Sequence, residues 1–579
     1  MKTRIAAASV IAVVVASGCA SMRSPLDVFH RGTDFGPVVE LPPAAEQYGQ
    51  FVRGQVALQN NDVDTAVDAF EKASKADPES SLLRLRLCNL YVRTSKLEAA
   101  LAQCEWVTAR EPENVEALAL LGGVLSALGR DDEAVATYER ILKIDPDSQE
   151  AYLYLGALYG KRGDLDAATS ALRRLIARNP NSILGYYYLG RVHAGAGQLD
   201  KAEKYYLEAL KLSPQSELIL TDLAVTYELQ GRTEKAVELY ERILALNPQS
   251  AMVRRRLGGL YVGQKRLDDA LAQFRELEKV EADPREARTK MGLIYFEKGD
   301  LERAMTEFNL VLAAEPDNVR VRYYLAAVLA EMGETERAMD GFAKVPPSSE
   351  YYVDAQLRGA YLLQKTDLPG AVKQIEKALD EKPGNPELMA YLASLYREQK
   401  SYGAAVAILE QMVAKAPDND RYRFTLGAAY DEASDKPKAI AEMQKAIELN
   451  PKNAAALNYL GYTYADMGVN LDEAESLIRR ALEITPDDGV YIDSLGWVYY
   501  QRGDYKRAVE QLERAVELAG DDPTVTEHLG DAYQRVGQTE DAVRVYRDAL
   551  ARAREPQQIE RLKGKIQTLG GPVHAGGAL

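Results

Sequence analysis

The side chains with most chemistry to offer are few: three cysteines and four histidines in a chain of 579 residues. His30, His193, His528 and His574 are scattered, and none stands at zinc-site spacing from a second histidine or a cysteine pair. No glycine-rich phosphate loop and no G-x-S-x-G elbow occurs, so nothing marks phosphoryl or acyl transfer. The adjacent acids Asp487-Asp488 and Asp521-Asp522 lie among turn residues, where solvated helix caps are the ordinary reading. The expectation is a non-enzyme with no catalytic residue, no metal, no cofactor and no small-molecule substrate. Cys88 and Cys104 remain, one eight residues before Lys96 and the other eight after. If Lys96 marks the turn of a helical hairpin, the two sulfurs stand level on facing helices. An oxidising compartment would join them as a disulfide; the other reading is two buried free thiols.

Cys19 belongs to a different pattern. Lys2 and Arg4 precede the apolar run Ile5–Val15, too short to span a bilayer but suited to the core of a secretory signal. Ala16-Ser17-Gly18 then leads straight into Cys19. The segment resembles a bacterial lipobox, with Ala16 where leucine is usual; the alternative is an ordinary secreted protein in which Cys19 is incidental. The resemblance implies cleavage after residue 18 and lipidation at Cys19. With two or three acyl chains, each buried CH₂ contributing ~0.8 kcal/mol, the anchor would be stable. Ala20 rather than Asp at the next position implies the outer membrane, with the protein facing the periplasm. Residues 19–46 carry Pro25, Pro37, Pro42 and Pro43 without helical periodicity and read as a tether. A flexible chain of that length reaches ~30 Å.

Composition bounds the remainder. Hydrophobic residues at 46% and charged residues at 27% are ordinary for a folded protein. A net charge of −16 argues against a nucleic-acid partner, which would need clustered Lys and Arg. The aromatics are lopsided, with 34 Tyr against 9 Phe and 2 Trp.

The elements that must position these residues come from a repeat. Pro78, Pro112, Pro146, Pro180, Pro214 and Pro248 recur at one interval of 34 residues, and Pro383, Pro417 and Pro451 resume it. Units starting from 47 to 523 align as fifteen repeats. Position 8 is mostly Gly (Gly122, Gly156, Gly190), position 11 commonly Tyr (Tyr91, Tyr227, Tyr261), and position 20 is Ala in every repeat but the one starting at 454, where the alanine is shifted by one to Ala474. A large residue recurs in the middle of the second helix, as Phe70, Tyr138 and Tyr206. Apolar positions 4, 7, 8 and 11, then 20, 24 and 27, follow helical periodicity and predict two antiparallel helices per unit, here A and B. Small residues at 8 and 20 would let the helices approach closely. Gly129, Gly163, Gly197, Gly231 and Gly299 at position 15 predict a left-handed end to helix A, and the prolines end helix B. Val345-Pro346-Pro347 interrupts a B helix, so a hinge, or simply a shortened loop, is expected over 346–351. It divides repeats 1–9 (47–345) from repeats 10–15 (352–553). Residues 554–569 read as a capping helix and 570–579 as a disordered tail.

These columns resemble the tetratricopeptide repeat (TPR) family over about 47 to 553. The resemblance implies an all-α fold, a right-handed superhelical solenoid of about fifteen helix pairs whose A helices line a concave groove. Residues 458–535 are also similar to a C-terminal block common in bacterial envelope proteins of this kind. A groove of this type implies protein partners and a role as scaffold, organising an envelope assembly for secretion, pilus formation or polysaccharide export. Candidate groove residues on helix A are Tyr187, Tyr323, Phe424, Asn458, Tyr462, Asp493, Trp497, Tyr500, Glu527 and Asp531. Aromatic and acidic groups crowd the last three repeats, which suits a segment bearing Lys or Arg with apolar anchors. Other readings of the same residues are a glycan- or peptidoglycan-binding groove, packing between neighbouring A helices, and a passive spacer.

Overall fold

The computed structural model describes residues 43–570. The signal, Cys19, most of the tether and the tail beyond Gly570 lie outside the described residues. The described residues form 31 α-helices, numbered α1 (Pro43–Gln59) to α31 (Pro556–Thr568), and no strand. Odd-numbered helices up to α29 are the A helices and even-numbered ones up to α30 the B helices. Helix α1 begins at Pro43, inside the stretch read as tether. The described residues divide into two compact units, which part between Ala287 and Arg288, and in each the helix pairs stack in sequence.

The repeat columns explain the packing within a pair. All fifteen alanines of this column, Ala66 to Ala542, are at most 1% exposed. The position-8 glycines face the large residue of mid helix B. A Cβ on Gly190 would lie 2.5 Å from the Tyr206 ring, and one on Gly122 2.7 Å from Tyr138. The glycine column is therefore mainly a slot for a ring, and only secondarily a backbone contact, as where Gly461 meets the Ala474 carbonyl. At the helix A ends, Gly129, Gly163, Gly197, Gly231 and Gly299 all have φ between 72° and 78°. Asn61, Ser95 and Lys265 take that left-handed conformation where glycine is missing.

Stacking between repeats is carried by the tyrosine column. The ring packs in the core while the hydroxyl donates to a glutamate on helix B of the preceding repeat: Tyr91 to Glu71 at 2.8 Å, Tyr261 to Glu241 at 2.5 Å, Tyr533 to Glu513 at 2.6 Å. Phenylalanine would fill the same space without that bond, which accounts for the bias toward tyrosine. Burial first, then the neighbouring carboxylate, pushes the Tyr91 and Tyr261 phenols up to about 12.

The proline pair lies inside the second unit. Helix α18 (Thr335–Ala343) has nine residues where α16 (Leu301–Ala314) has fourteen. The connecting segment is pinned: Val345 and Tyr352 are buried in one cluster that continues on both sides, and Tyr351 stacks on Tyr323 at 5.0 Å.

Candidate functional site

Two places on the A helices of the second unit gather functional side chains. The first spans α25 (Ala454–Asp466), α27 (Gly489–Gln501), α29 (Pro523–Arg535) and α31. Asp493 is 4% exposed, and both its oxygens stand 3.0 Å from Nδ1 of the buried His528. Burial alone would lower the His528 pKa; the Asp493 carboxylate, with Asp531 and Glu527 behind it, outweighs burial and raises it. Trp497 stacks on His528 at 4.2 Å and on Tyr500 at 4.6 Å. Two rings stacked at such distances cannot share one face of the indole, so both faces are covered. Tyr462 tilts toward His528 at 6.3 Å. Asn458 Oδ1 and Trp497 Nε1 are buried with no hydrogen-bond partner among the described residues.

The acids beside this stack are held by the last helix. Glu527, 3% exposed, accepts from Arg561 Nε at 2.7 Å, Lys565 Nζ at 2.8 Å and Gln558 Nε2 at 3.2 Å. Its burial would raise the carboxyl pKa, but Arg561 and Lys565 overcome that and bring it down to about 2. Asp531 accepts from Lys565 at 2.6 Å and from the Tyr546 hydroxyl at 2.5 Å. Leu562 and Ile566 are buried beneath. The segment with basic groups and apolar anchors that this surface suits is thus the chain's own α31. Its residues repeat the register of α29: Arg561 and Lys565 each stand 34 residues beyond their acidic partners. That offset was present in the sequence; reading the helix only as a cap hid it, and His528, Gln558, Arg561 and Lys565 were not among the candidates.

The other candidates stand apart from this cluster. Tyr187, on α9 (Ile183–Gly195), is buried and donates to Asp222 at 3.0 Å. Tyr323, on α17 (Val319–Glu331), is buried and donates to Asp354. Phe424, on α23 (Asp420–Glu432), meets Tyr459 edge-on at 6.2 Å. These three read as packing.

The second place is open. A cavity of about 830 Å³ lies on α17, α19 (Tyr352–Gln364) and α21 (Pro386–Glu398). Ala330 and Glu331 line it from α17, Asp354, Leu357, Arg358, Tyr361 and Leu362 from α19, and Glu387, Ala390, Tyr391 and Ser394 from α21. Arg358 Nε donates to Asp354 at 2.7 Å, and Tyr361 is 61% exposed. The Tyr391 hydroxyl donates to Gln364 at 2.8 Å, and burial with Glu398 nearby pushes its pKa up to about 12.

In the first unit, Cys88 on α3 (Ser81–Arg93) and Cys104 on α4 (Leu97–Arg110) are joined as a disulfide, Cα to Cα 6.0 Å. The bond occupies the contact that Gly122 and Tyr138 make one repeat later, with the same separation of 16 residues. Trp106 lies between the guanidiniums of Arg84 and Arg110, at 3.9 and 3.8 Å. Among the described residues no cluster of three or more His, Cys, Asp or Glu could hold a metal ion, and no helix is long and apolar enough to cross a membrane.

Paired helices stacked in register, with side chains gathered on the A helices, define a helical-repeat solenoid. Tetratricopeptide repeat profiles match along it, among them 49–80, 85–149, 181–249, 227–294, 295–350, 362–430, 453–521 and 499–566. The chain belongs to the tetratricopeptide repeat family. A TPR repeat-containing protein of Pseudomonas aeruginosa is 27% identical over 176 residues, 30% of each chain. Anaphase-promoting complex subunit 3 of Schizosaccharomyces pombe is 25% identical over 134 residues, 23% of this chain and 20% of that protein. The chain thus spans under a third of the length of these relatives. Among solved structures, the APC/C Cut9–Hcn1 hetero-tetramer matches 90% of this chain and 97% of its own at 16% identity and TM-score 0.34. A tetratricopeptide repeat protein from Parabacteroides merdae matches 43% and 99% at 17% identity, TM-score also 0.34. At such scores these likenesses carry no argument.

Proposed function

We propose that the chain is a non-catalytic protein-binding scaffold, tethered through a lipid on Cys19 to the bacterial envelope. There it would hold components of a secretion, pilus or polysaccharide-export assembly. The observation that carries the binding role is the cavity on α17, α19 and α21: an apolar and aromatic floor, with Tyr361 61% exposed, on the face built of A helices. Mid-sized apolar pockets with a few placed polar groups are where ligands and partner side chains dock. The order Ala16-Ser17-Gly18-Cys19 after an apolar run supports the anchor, and Ala20 supports the outer membrane. A glycan-binding groove built on Trp497 finds less support, because both faces of that indole are already covered.

Photo-crosslinking in cells from position 394, at the cavity, and from position 132, remote in sequence in the first unit, tests the binding role. A discrete protein adduct from 394 alone is expected; no adduct at either position overturns it. For the anchor, Cys19→Ala should move the protein from the membrane fraction to the soluble one and abolish uptake of labelled lipid. A wild type that takes up no lipid removes the anchoring role and leaves the scaffold role standing.

A further inference from the structure

The charges around the cavity do not balance within the chain. Three carboxylates line it, Glu331, Asp354 and Glu387, against one guanidinium, Arg358. Arg358 is taken up by Asp354, which also accepts the Tyr323 hydroxyl, so that pair is closed. Glu331 and Glu387 are exposed, and neither side-chain carboxylate has an ion pair or hydrogen bond within the described residues. This contrasts with the last repeats, where Glu527 and Asp531 are answered by Arg561 and Lys565.

Their placement is as telling as their charge. The A helices run the same way, because an antiparallel B helix separates each from the next. Glu331 is the last residue of α17 and Glu387 the second of α21, so they stand at opposite ends of the cavity, with α19 between. On α19, Leu357 and the exposed Tyr361 form the middle, while Ala330, Ala390 and Ser394 are small and leave the space open.

We infer that this cavity receives an extended protein segment in which Lys or Arg residues flank an apolar one. The cations would meet Glu331 and Glu387 and the apolar side chain Leu357 and Tyr361. This rests on the protein-binding role proposed above and names the chemistry of the partner. Charge complementarity selects the occupant: an acidic segment would meet two unanswered carboxylates, and a neutral one would leave them unused. The exposed aromatic in the middle is the kind of side chain on which binding energy concentrates.

Selection from a displayed dodecapeptide library against the full chain tests it, with the double variant Glu331→Lys/Glu387→Lys as counter-selection. Enriched sequences should carry two basic residues on either side of an apolar one. Each charge reversal alone should weaken the best peptide about three- to tenfold, since exposed ion pairs are individually modest. Tyr361→Ala should weaken it by about tenfold or more. Asp132→Lys, exposed in the first unit, should change nothing. Enrichment of acidic or neutral peptides overturns the inference, as does equal binding by the double variant. So does preferential binding of chitin or peptidoglycan oligosaccharides, run in parallel, that competes at Tyr361. A protein adduct from position 394 together with unpatterned peptides sinks this chemistry while sparing the scaffold role. No adduct and no peptide removes both.

Discussion

A single contact, repeated, does much of the work at the scale of residues. In most pairs a position-8 glycine receives the large side chain that lies 16 or 17 residues later, whether Tyr206 on Gly190, Leu172 on Gly156 or Ile478 on Gly461. Gly190→Ala places a methyl 2.5 Å from the Tyr206 ring, and such overpacking costs about 1–3 kcal/mol. Hydrogen exchange at α9 and α10 (Leu199–Leu212) should show that loss locally. Combined with Tyr206→Ala, the glycine substitution should cost almost nothing further, a coupling that only direct contact produces. The column was legible in the sequence because the contact recurs in register, and Cys88 and Cys104 stood out by breaking it. The glutamates that accept the tyrosine hydroxyls were not legible. On the outer face of helix B a Glu at that place looks like any other solvated charge, and only the geometry reveals Tyr91 to Glu71 or Tyr533 to Glu513.

Helix α31 was readable as an amphipathic element, yet its polar face is tied into the fold as fully as its apolar one. Removing both cations with Arg561→Ala/Lys565→Ala leaves the buried Glu527 with Gln558 alone; broken buried pairs cost about 3–5 kcal/mol, and with Arg561 half-exposed the loss should fall at the low end of that range. The last repeat should fray first, seen as faster exchange in α29 and α30 (Thr539–Arg552), and Glu527→Gln in the same chain should recover part of the loss. The same elements give the C-terminal block a pH optimum. Glu527 has a folded pKa lowered from 4.5 to about 2, so its contribution is present above pH 4.5 and is lost as pH falls toward 2. His528 has a folded pKa raised above 6.5, so its contribution is complete below pH 6.5 and is lost as pH rises through the folded value. Both are fully present only between about pH 4.5 and 6.5, where this block should be most stable. Unfolding midpoints read from Trp497 fluorescence in a Trp106→Phe background should peak there. His528→Gln should flatten the alkaline limb and leave the acid limb intact; an unchanged alkaline limb would assign the loss to other groups.

Across the whole molecule, periodicity decides more than composition. Length and charge allowed several ordinary domains, whereas the 34-residue interval predicted a stack in which each repeat touches its neighbours. That much of the fold was legible because every repeat encodes the same hairpin. The open cavity was not, because it depends on small residues, Ala330 on α17 and Ala390 and Ser394 on α21, falling on either side of α19, with B helices between them in sequence. Nearest-neighbour stacking has a measurable consequence, and the two tryptophans are placed to report it: Trp106 lies on α4 within the disulfide-closed repeat and Trp497 inside the C-terminal stack. Closing a loop of about 15 residues stabilises by about 3 kcal/mol in the chain-entropy account. Cys88→Ser/Cys104→Ser should therefore lower the transition seen by Trp106 by an amount of that order. The transition seen by Trp497, many repeats away, should stay within about 0.5 kcal/mol, as for independent sites. A chain with one cooperative core would move both signals together, and equal shifts at Trp106 and Trp497 would show that stability is pooled over the array and not held repeat by repeat.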